Sequence, residues 1–261
     1  MSLAASARHH TAGPVEAWRS RSILTDTLVI LACIGALLLA AIVTLHALLD
    51  FGVGFAVFSL AAYTAVSSFV VFYLDKYPHA RFGAANAITA FRASMTCLLG
   101  GLLFETDWLS APAMEMWMWA FVAAAIFALS LDGFDGWLAR RAGQCSSFGG
   151  RFDMEIDAAL ILSLSVMAFA LGKAGAWVIL IGVMRHLFLL GRLLWPRLRG
   201  ELEDSYRRKT ICVMQIIALC IILTPVVQQP YAPVIAAVAL ACLVYSFAID
   251  ILDLLGHKAT T

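Results

Sequence analysis

Eight apolar runs, each close to the length that crosses a bilayer, decide what this chain can fold into. They fall near residues 27–49, 51–74, 87–105, 113–132, 148–171, 174–195, 210–226 and 231–254. About 20 apolar residues in a helix span the hydrocarbon layer. A helix is also the structure in which one segment satisfies its own backbone without water. The sequence therefore predicts an all-α, polytopic membrane helix bundle with about eight transmembrane helices. Composition agrees, with 62% of the 261 residues hydrophobic and 13% charged. A soluble domain is about half apolar and a quarter charged. The six cysteines (33, 97, 145, 212, 220 and 242) show no CxxC or Cys/His spacing, so neither a disulfide framework nor a zinc site is expected.

Turn-rich or charged joints separate the runs: Asp50, Asp75 to Gly83, Glu105 to Pro112, Gly172 to Gly175, Pro196 to Arg208, and Pro225 to Pro230. The first is the shortest break. Residues 1–22 are polar and lack the apolar core of a cleavable signal, which marks them as an N-terminal cytosolic arm. Positive charge sets the orientation. Arg8, Arg19, Arg21, Lys76, Arg81, Arg140, Arg141, Arg197, Arg199, Arg207, Arg208, Lys209 and Lys258 all fall on one side if eight spans hold, and Lys173 falls opposite. Both termini are thereby expected in the cytosol. The net charge is +1, and no nucleic-acid partner is expected.

Four carboxylates stand out against this background. Asp132 and Asp135 sit where the fourth run ends, and Asp153 and Asp157 open the fifth. The second pair is one helical turn apart and shares a face. With an antiparallel helix pair and a loop that turns back between them, four acids converge at one end of the pair. Acids there repel one another and are costly near lipid. A divalent cation removes both penalties, and carboxylate oxygens suit hard ions such as Mg²⁺ or Mn²⁺. The plainer alternative is a polar helix-end cluster facing water.

The stretch DGFDGWLARRAGQCSSFGGRFDMEID, residues 132–157, resembles the signature of the CDP-alcohol phosphotransferase (CDP-alcohol phosphatidyltransferase) family. That signature is D-x2-D-G-x2-A-R, eight residues, then G-x3-D-x3-D. Asp132, Asp135, Gly136, Ala139, Arg140, Gly149, Asp153 and Asp157 meet every fixed position. Upstream, Asn86 to Arg92 within GAANAITAFR resembles the family's Pro-Asn-x-Ile-Thr-x-x-Arg opening of its first core helix, with Ala85 in place of the proline. The resemblance implies a six-helix core. The expected organisation is an arm over 1–22, an added transmembrane helix pair over 23–74, and the membrane transferase domain over 75–256.

What the resemblance implies about chemistry is transfer of a substituted phosphate from a CDP-linked donor to an alcohol, with release of CMP. It further implies two ions, Mg²⁺ or Mn²⁺, on Asp132, Asp135, Asp153 and Asp157. Asp157 would also take the acceptor hydroxyl's proton as the catalytic base. Donor contacts would come from Asn86, Ala87, Ile88, Thr89, Gly136, Arg140, Ser146 and Gly149. The donor expected is CDP-diacylglycerol, in a bacterial inner membrane, with membrane lipid as surroundings and a homodimer as the assembly. A sister reading has a soluble CDP-alcohol as donor and diacylglycerol as acceptor. A reading from another class is a cation-coupled transporter using the same acids.

Several positions keep two readings at this level. Asn86 can cap a helix whose free N–H groups favour an anion, or serve as a cap alone. Residues 77–87 offer a weakly amphipathic candidate for an interfacial helix. Arg92, Arg151, Arg185 and Arg192 lie in or at the edge of apolar runs, where an arginine faces a cavity or snorkels to the surface. The expected acceptor pocket is Arg151, Arg185, Arg192 and Lys209, and it would take an acceptor bearing its own phosphate. Glu155 could instead pair with Arg151. The Arg207-Arg208-Lys209-Thr210 segment, with Gln215 beyond, resembles the family's Lys-Thr-x-x-Gln pattern, or is a positive-inside flank.

Overall fold

A computed structural model describes residues 14–79, 81–110, 115–195, 198, 200 and 205–256. The apolar runs form eight long helices: α1 (Pro14–Leu49), α2 (Val53–Tyr73), α3 (Gly83–Gly101), α4 (Glu115–Arg141), α5 (Ser147–Ala170), α6 (Ile179–Leu194), α7 (Tyr206–Leu223) and α8 (Tyr231–Gly256). Short helical turns prolong α3 to Leu109 and lead into α6. No strand occurs among the described residues. Arg8, Arg197, Arg199 and Lys258, used in the orientation argument, lie outside them.

Six of the eight are long and apolar enough to cross a membrane: α1, α2, α3 with its extension, α4, α6 with its lead-in turn, and α8. The other two carry charge in their N-terminal halves. Helix α5 holds Arg151, Asp153, Glu155 and Asp157, and α7 opens on Arg207, Arg208 and Lys209. Charged side chains at membrane depth belong in a bundle interior, and α5 packs against α3, α6 and α7.

Helix α3 is the hub. It packs against α1, α2, α4 and α5, and 56% of its membrane-length stretch is buried, against 17–28% in the other five apolar helices. Small side chains make that possible: Ala90, Ala93, Ser94, Thr96, Cys97, Gly100 and Gly101 are all buried. Small residues let helix backbones approach closely where no water drives association. At Gly101 an added Cβ would stand 3.0 Å from the backbone oxygen of Phe55 on α2. Gly182 does the same for α6 on α5, where a Cβ would stand 2.6 Å from the Leu162 Cα.

Helices α1 and α2 join through residues 50–52, with Asp50 in the left-handed region at φ 56°, which a short polar side chain tolerates. Helix α1 buries Ile23, Thr27, Leu31, Ile34, Leu38 and Ile42, one stripe at three- and four-residue spacing. The stripe faces α2 and α3. Asp26 on the same helix accepts a hydrogen bond from the Phe82 N–H at 2.9 Å, at the start of α3.

The interfacial helix considered over residues 77–87 does not form. The described residues before Gly83 are non-helical after Lys76, because Tyr77 and Phe82 turn inward and are buried. The Tyr77 hydroxyl donates to the Phe82 carbonyl at 3.1 Å, and burial pushes its phenol above the ordinary tyrosine value. It therefore stays a protonated donor at neutral pH. On the other side of the bundle, Lys173 donates to the carbonyls of Thr224 (2.9 Å) and Val227 (2.8 Å) just beyond α7. Lys173 is thus a structural tie between the α5–α6 and α7–α8 connections.

Candidate active site

The fourth helix does not stop at the first acid pair. It continues through residues 132–141, whose Phe134, Trp137, Leu138 and Ala139 keep a helical sequence going, and ends at Arg141. Two arginines in the last turn suit the negative end of the helix dipole. Gly143 (φ 64°) closes it: Gln144 N–H donates to Ala139 O at 2.9 Å and Gly143 N–H to Arg140 O at 3.4 Å, the paired pattern of a left-handed C-terminal turn. Helix α5 begins at Ser147, so the expected returning loop is only residues 142–146. Ser146 caps α5, its Oγ accepting from Gly149 N–H at 3.0 Å.

The consequence is depth. Asp135 lies six residues before the end of α4, and Asp157 ten residues after the start of α5. At 1.5 Å per residue the acids sit roughly 9–15 Å inside the helix ends. The expectation of a cluster at the tip of the pair is corrected accordingly. Exposure rises from the Asp135 side chain (5%) through Asp157 (17%) and Asp132 (24%) to Asp153 (32%), so the cluster opens on the Asp153 side.

Helix α3 supplies the third wall. Asn86, Thr89 and Arg92, spaced three apart, lie on one face and are all buried. Thr89 Oγ1 donates to Asp135 Oδ2 at 2.8 Å. Arg92 reaches all four acids. Its Nη1 is 3.2 Å from Asp132 Oδ1, 3.1 Å from Asp135 Oδ2 and paired with Asp153 Oδ1, and its Nη2 is 2.5 Å from Asp157 Oδ1. Its Nε donates to Ala128 O at 3.1 Å. Sequence reading placed Arg92 beside a cavity but not on the acids. The available signal was its helical spacing from Asn86 and Thr89.

Asn86 lies inside the first turn of α3 rather than at its cap. The cap position is Phe82, and the Asn86 Nδ2 donates back to the Phe82 carbonyl at 2.7 Å. Because the Asp26 carboxylate already accepts from Phe82 N–H, this helix end has an acid at it. Across from Asn86 is Gly149, where a Cβ would stand 3.1 Å from Asn86 Oδ1 and 3.2 Å from Ser146 Oγ. The glycine thus brings α3 and α5 together. Ala87, Ile88, Gly136 and Ser146 are partly buried, and Arg140 is exposed at the α4 end.

The expected acceptor arginines diverge. Arg151 is exposed, so the depth assigned to it is wrong: α5 turns that position outward. Glu155 pairs with Arg185 at 2.6 Å. Arg185 Nε is nonetheless buried with no hydrogen-bond partner. Arg192 is taken up by backbone oxygens, donating to Leu198 O (3.0 Å) and Gly200 O (2.8 Å). Lys209 is exposed. Its neighbours Arg207 and Arg208 bond to buried Asp250 of α8 at 2.6 and 3.2 Å, an anchor sequence reading missed. Gln215 Nε2 donates to Ala239 O at 2.9 Å. Cys212 approaches the acids from α7, its Sγ 3.9 Å from Asp157 Oδ2.

Four carboxylates meet one guanidinium in a partly buried site, an excess of acid over base. Oxygens of Asp132, Asp135 and Asp153 come within 4.8 Å of one another. An all-oxygen, charge-deficient set of this kind fits a hard divalent cation, and these residues could hold one. Fold and cluster together define a helical integral membrane protein with a carboxylate cluster that could hold a cation. A family model described as CDP-alcohol phosphatidyltransferase matches residues 82–245, from the start of α3 well into α8. That is more than half of the chain, and the chain belongs to this family. It is therefore a transferase of phospholipid synthesis, acting on CDP-alcohol substrates in a lipid membrane. No curated protein and no solved structure gives a match.

Proposed function

We propose that the protein transfers the phosphatidyl group of CDP-diacylglycerol to the hydroxyl of an alcohol acceptor and releases CMP. The observation that carries this reading is the convergence of Asp132, Asp135, Asp153 and Asp157 within a bundle of this family. The acceptor oxygen bonds to the phosphorus that carries diacylglycerol, the bond from that phosphorus to CMP breaks, and the acceptor proton passes to a carboxylate. Asp157 suits the proton: one oxygen is held by Arg92, while the other faces the Cys212 thiol at 3.9 Å. Two divalent ions, Mg²⁺ or Mn²⁺, on Asp132, Asp135, Asp153 and Asp157 would neutralise the diphosphate and the leaving group. Thr89 orients Asp135, and Gly149 keeps α3 against α5 beside Asn86 and Ser146.

The wider assignments follow the same reading. Residues 23–74 form an added helix pair on a catalytic domain over 75–256. The protein works as a homodimer in a bacterial inner membrane with the acids facing the cytosol. Release of CMP on mixing purified protein with CDP-diacylglycerol and a panel of alcohols tests the reaction. CMP release that requires a soluble CDP-alcohol with diacylglycerol would reverse donor and acceptor, and no CMP from either mixture would remove the reading.

An acceptor with its own phosphate is supported by Arg185, whose Nε is buried without a partner although Glu155 holds its Nη2. An arginine fork binds phosphate oxygens in pairs. Arg185→Ala is expected to raise the acceptor KM several-fold more than that for CDP-diacylglycerol. Arg192→Ala is expected to lower thermal stability instead, because it ties α6 to the Leu198 and Gly200 carbonyls. Turnover with an uncharged polyol and none with its phosphate would refute the phosphate acceptor.

A further inference from the structure

Arg92 stands where a cation is needed. Its Nη1 contacts Asp132, Asp135 and Asp153 at once, the same three carboxylates whose oxygens gather within 4.8 Å. A divalent ion shared by them would take those oxygens at roughly 2.0–2.6 Å, in the space that Nη1 fills. The guanidinium cannot give up its proton to make room. Its charge is permanent, and only its position can change. The side chain is long, buried at the centre of the cluster, and held otherwise by Nη2 on Asp157 Oδ1 at 2.5 Å and by Nε on Ala128 O at 3.1 Å.

We propose that Arg92 is a built-in competitor for the divalent cation, holding the four-acid cluster together in the metal-free protein and moving off it as the ion enters. The proposal rests on the cluster being the cation site. It gives the arginine two effects that a merely structural ion pair would not combine. It keeps four converging carboxylates from repelling one another before the ion arrives. It also weakens the apparent affinity for the ion, because apparent affinity falls by the fraction of protein whose site is open. A guanidinium in place nine times in ten costs about tenfold in affinity on that arithmetic. The site would then fill where the divalent ion is abundant and stay closed by its own side chain elsewhere.

Mn²⁺ binding, followed by electron paramagnetic resonance on purified protein without substrate, tests this directly. Wild type, Arg92→Met and Arg92→Lys are prepared in Mn²⁺, stripped with EDTA and titrated. Methionine keeps much of the length but donates nothing, so Arg92→Met is expected to bind Mn²⁺ about tenfold or more tightly than wild type. Lysine keeps the charge but loses the fork, which places it between the two. Thermal melts supply the second readout. Metal-free Arg92→Met should melt below metal-free wild type, and Mn²⁺ should close the gap. Equal or weaker Mn²⁺ binding in the variants would overturn the proposal, since the arginine would then organise the site or leave it unaffected. If Arg92→Met does not accumulate, Arg92→Lys decides by the same criterion. Absence of Mn²⁺ binding in wild type and variants alike would remove the cation site itself.

Discussion

Asp157→Asn is expected to slow turnover by about 10²–10⁴-fold, the usual contribution of a general base, while CDP-diacylglycerol still binds. The substitution keeps the shape of the side chain and an oxygen for the Arg92 Nη2 that now lies 2.5 Å away. What it loses is the ability to take a proton at the oxygen facing Cys212. Steady-state CMP release gives the rate, and donor binding measured on the same sample separates chemistry from affinity. A variant retaining more than about a tenth of the rate would show that Asp157 is not the base. Asp132→Ala is the useful contrast, since it should lose donor binding too. Asp135→Ala is less clean: Asp135 is buried against both Thr89 and Arg92, and removing one partner of a buried charged group destabilises by about 3–5 kcal/mol.

Chelation is expected to abolish activity, and Mg²⁺ or Mn²⁺ to restore it. One guanidinium against four carboxylates leaves the site strongly negative, and a diphosphate donor adds more negative charge. Without further cations the donor would meet repulsion rather than binding. The comparison is CMP release in excess EDTA, then after adding back each ion in turn. Full activity in excess EDTA would sink the metal-based reading, whatever the variants do. Chelation should lower the melting temperature of wild type by less than that of Arg92→Met, because Arg92 holds the acids in the meantime.

Much of this molecule is local, and local features are legible. A run of about 20 apolar residues is a membrane helix wherever it packs, which is why the eight runs became eight long helices. Helix boundaries were least legible where polar and apolar residues mix. The stretch from Asp132 to Arg141 looked like a loop because its acids and glycines interrupt the apolar run. It is helix because Phe134, Trp137, Leu138 and Ala139 preserve the pattern, and Gly143 supplies the stop. The continued helix places the acids well inside the bundle rather than at its tip.

The sequence by itself determined the class of fold, the family, and the two acid pairs, because each depends on residues within a few turns of one another. Spacings of three and four place Asp132 with Asp135 and Asp153 with Asp157 in any helix. Only the tertiary structure decided who meets those pairs. Arg92 is 40 to 65 residues from the acids it touches, and no periodicity records that distance. The meeting depends on a small-residue face of α3 that lets α4 and α5 close on it. Likewise Glu155 pairs with Arg185, 30 residues away on α6, rather than with Arg151 on its own helix. Four residues apart, Arg151 and Glu155 are within reach on α5, but Arg151 is exposed while Glu155 turns to α6. Helix packing gave Glu155 a partner on another helix that no spacing within α5 could have indicated.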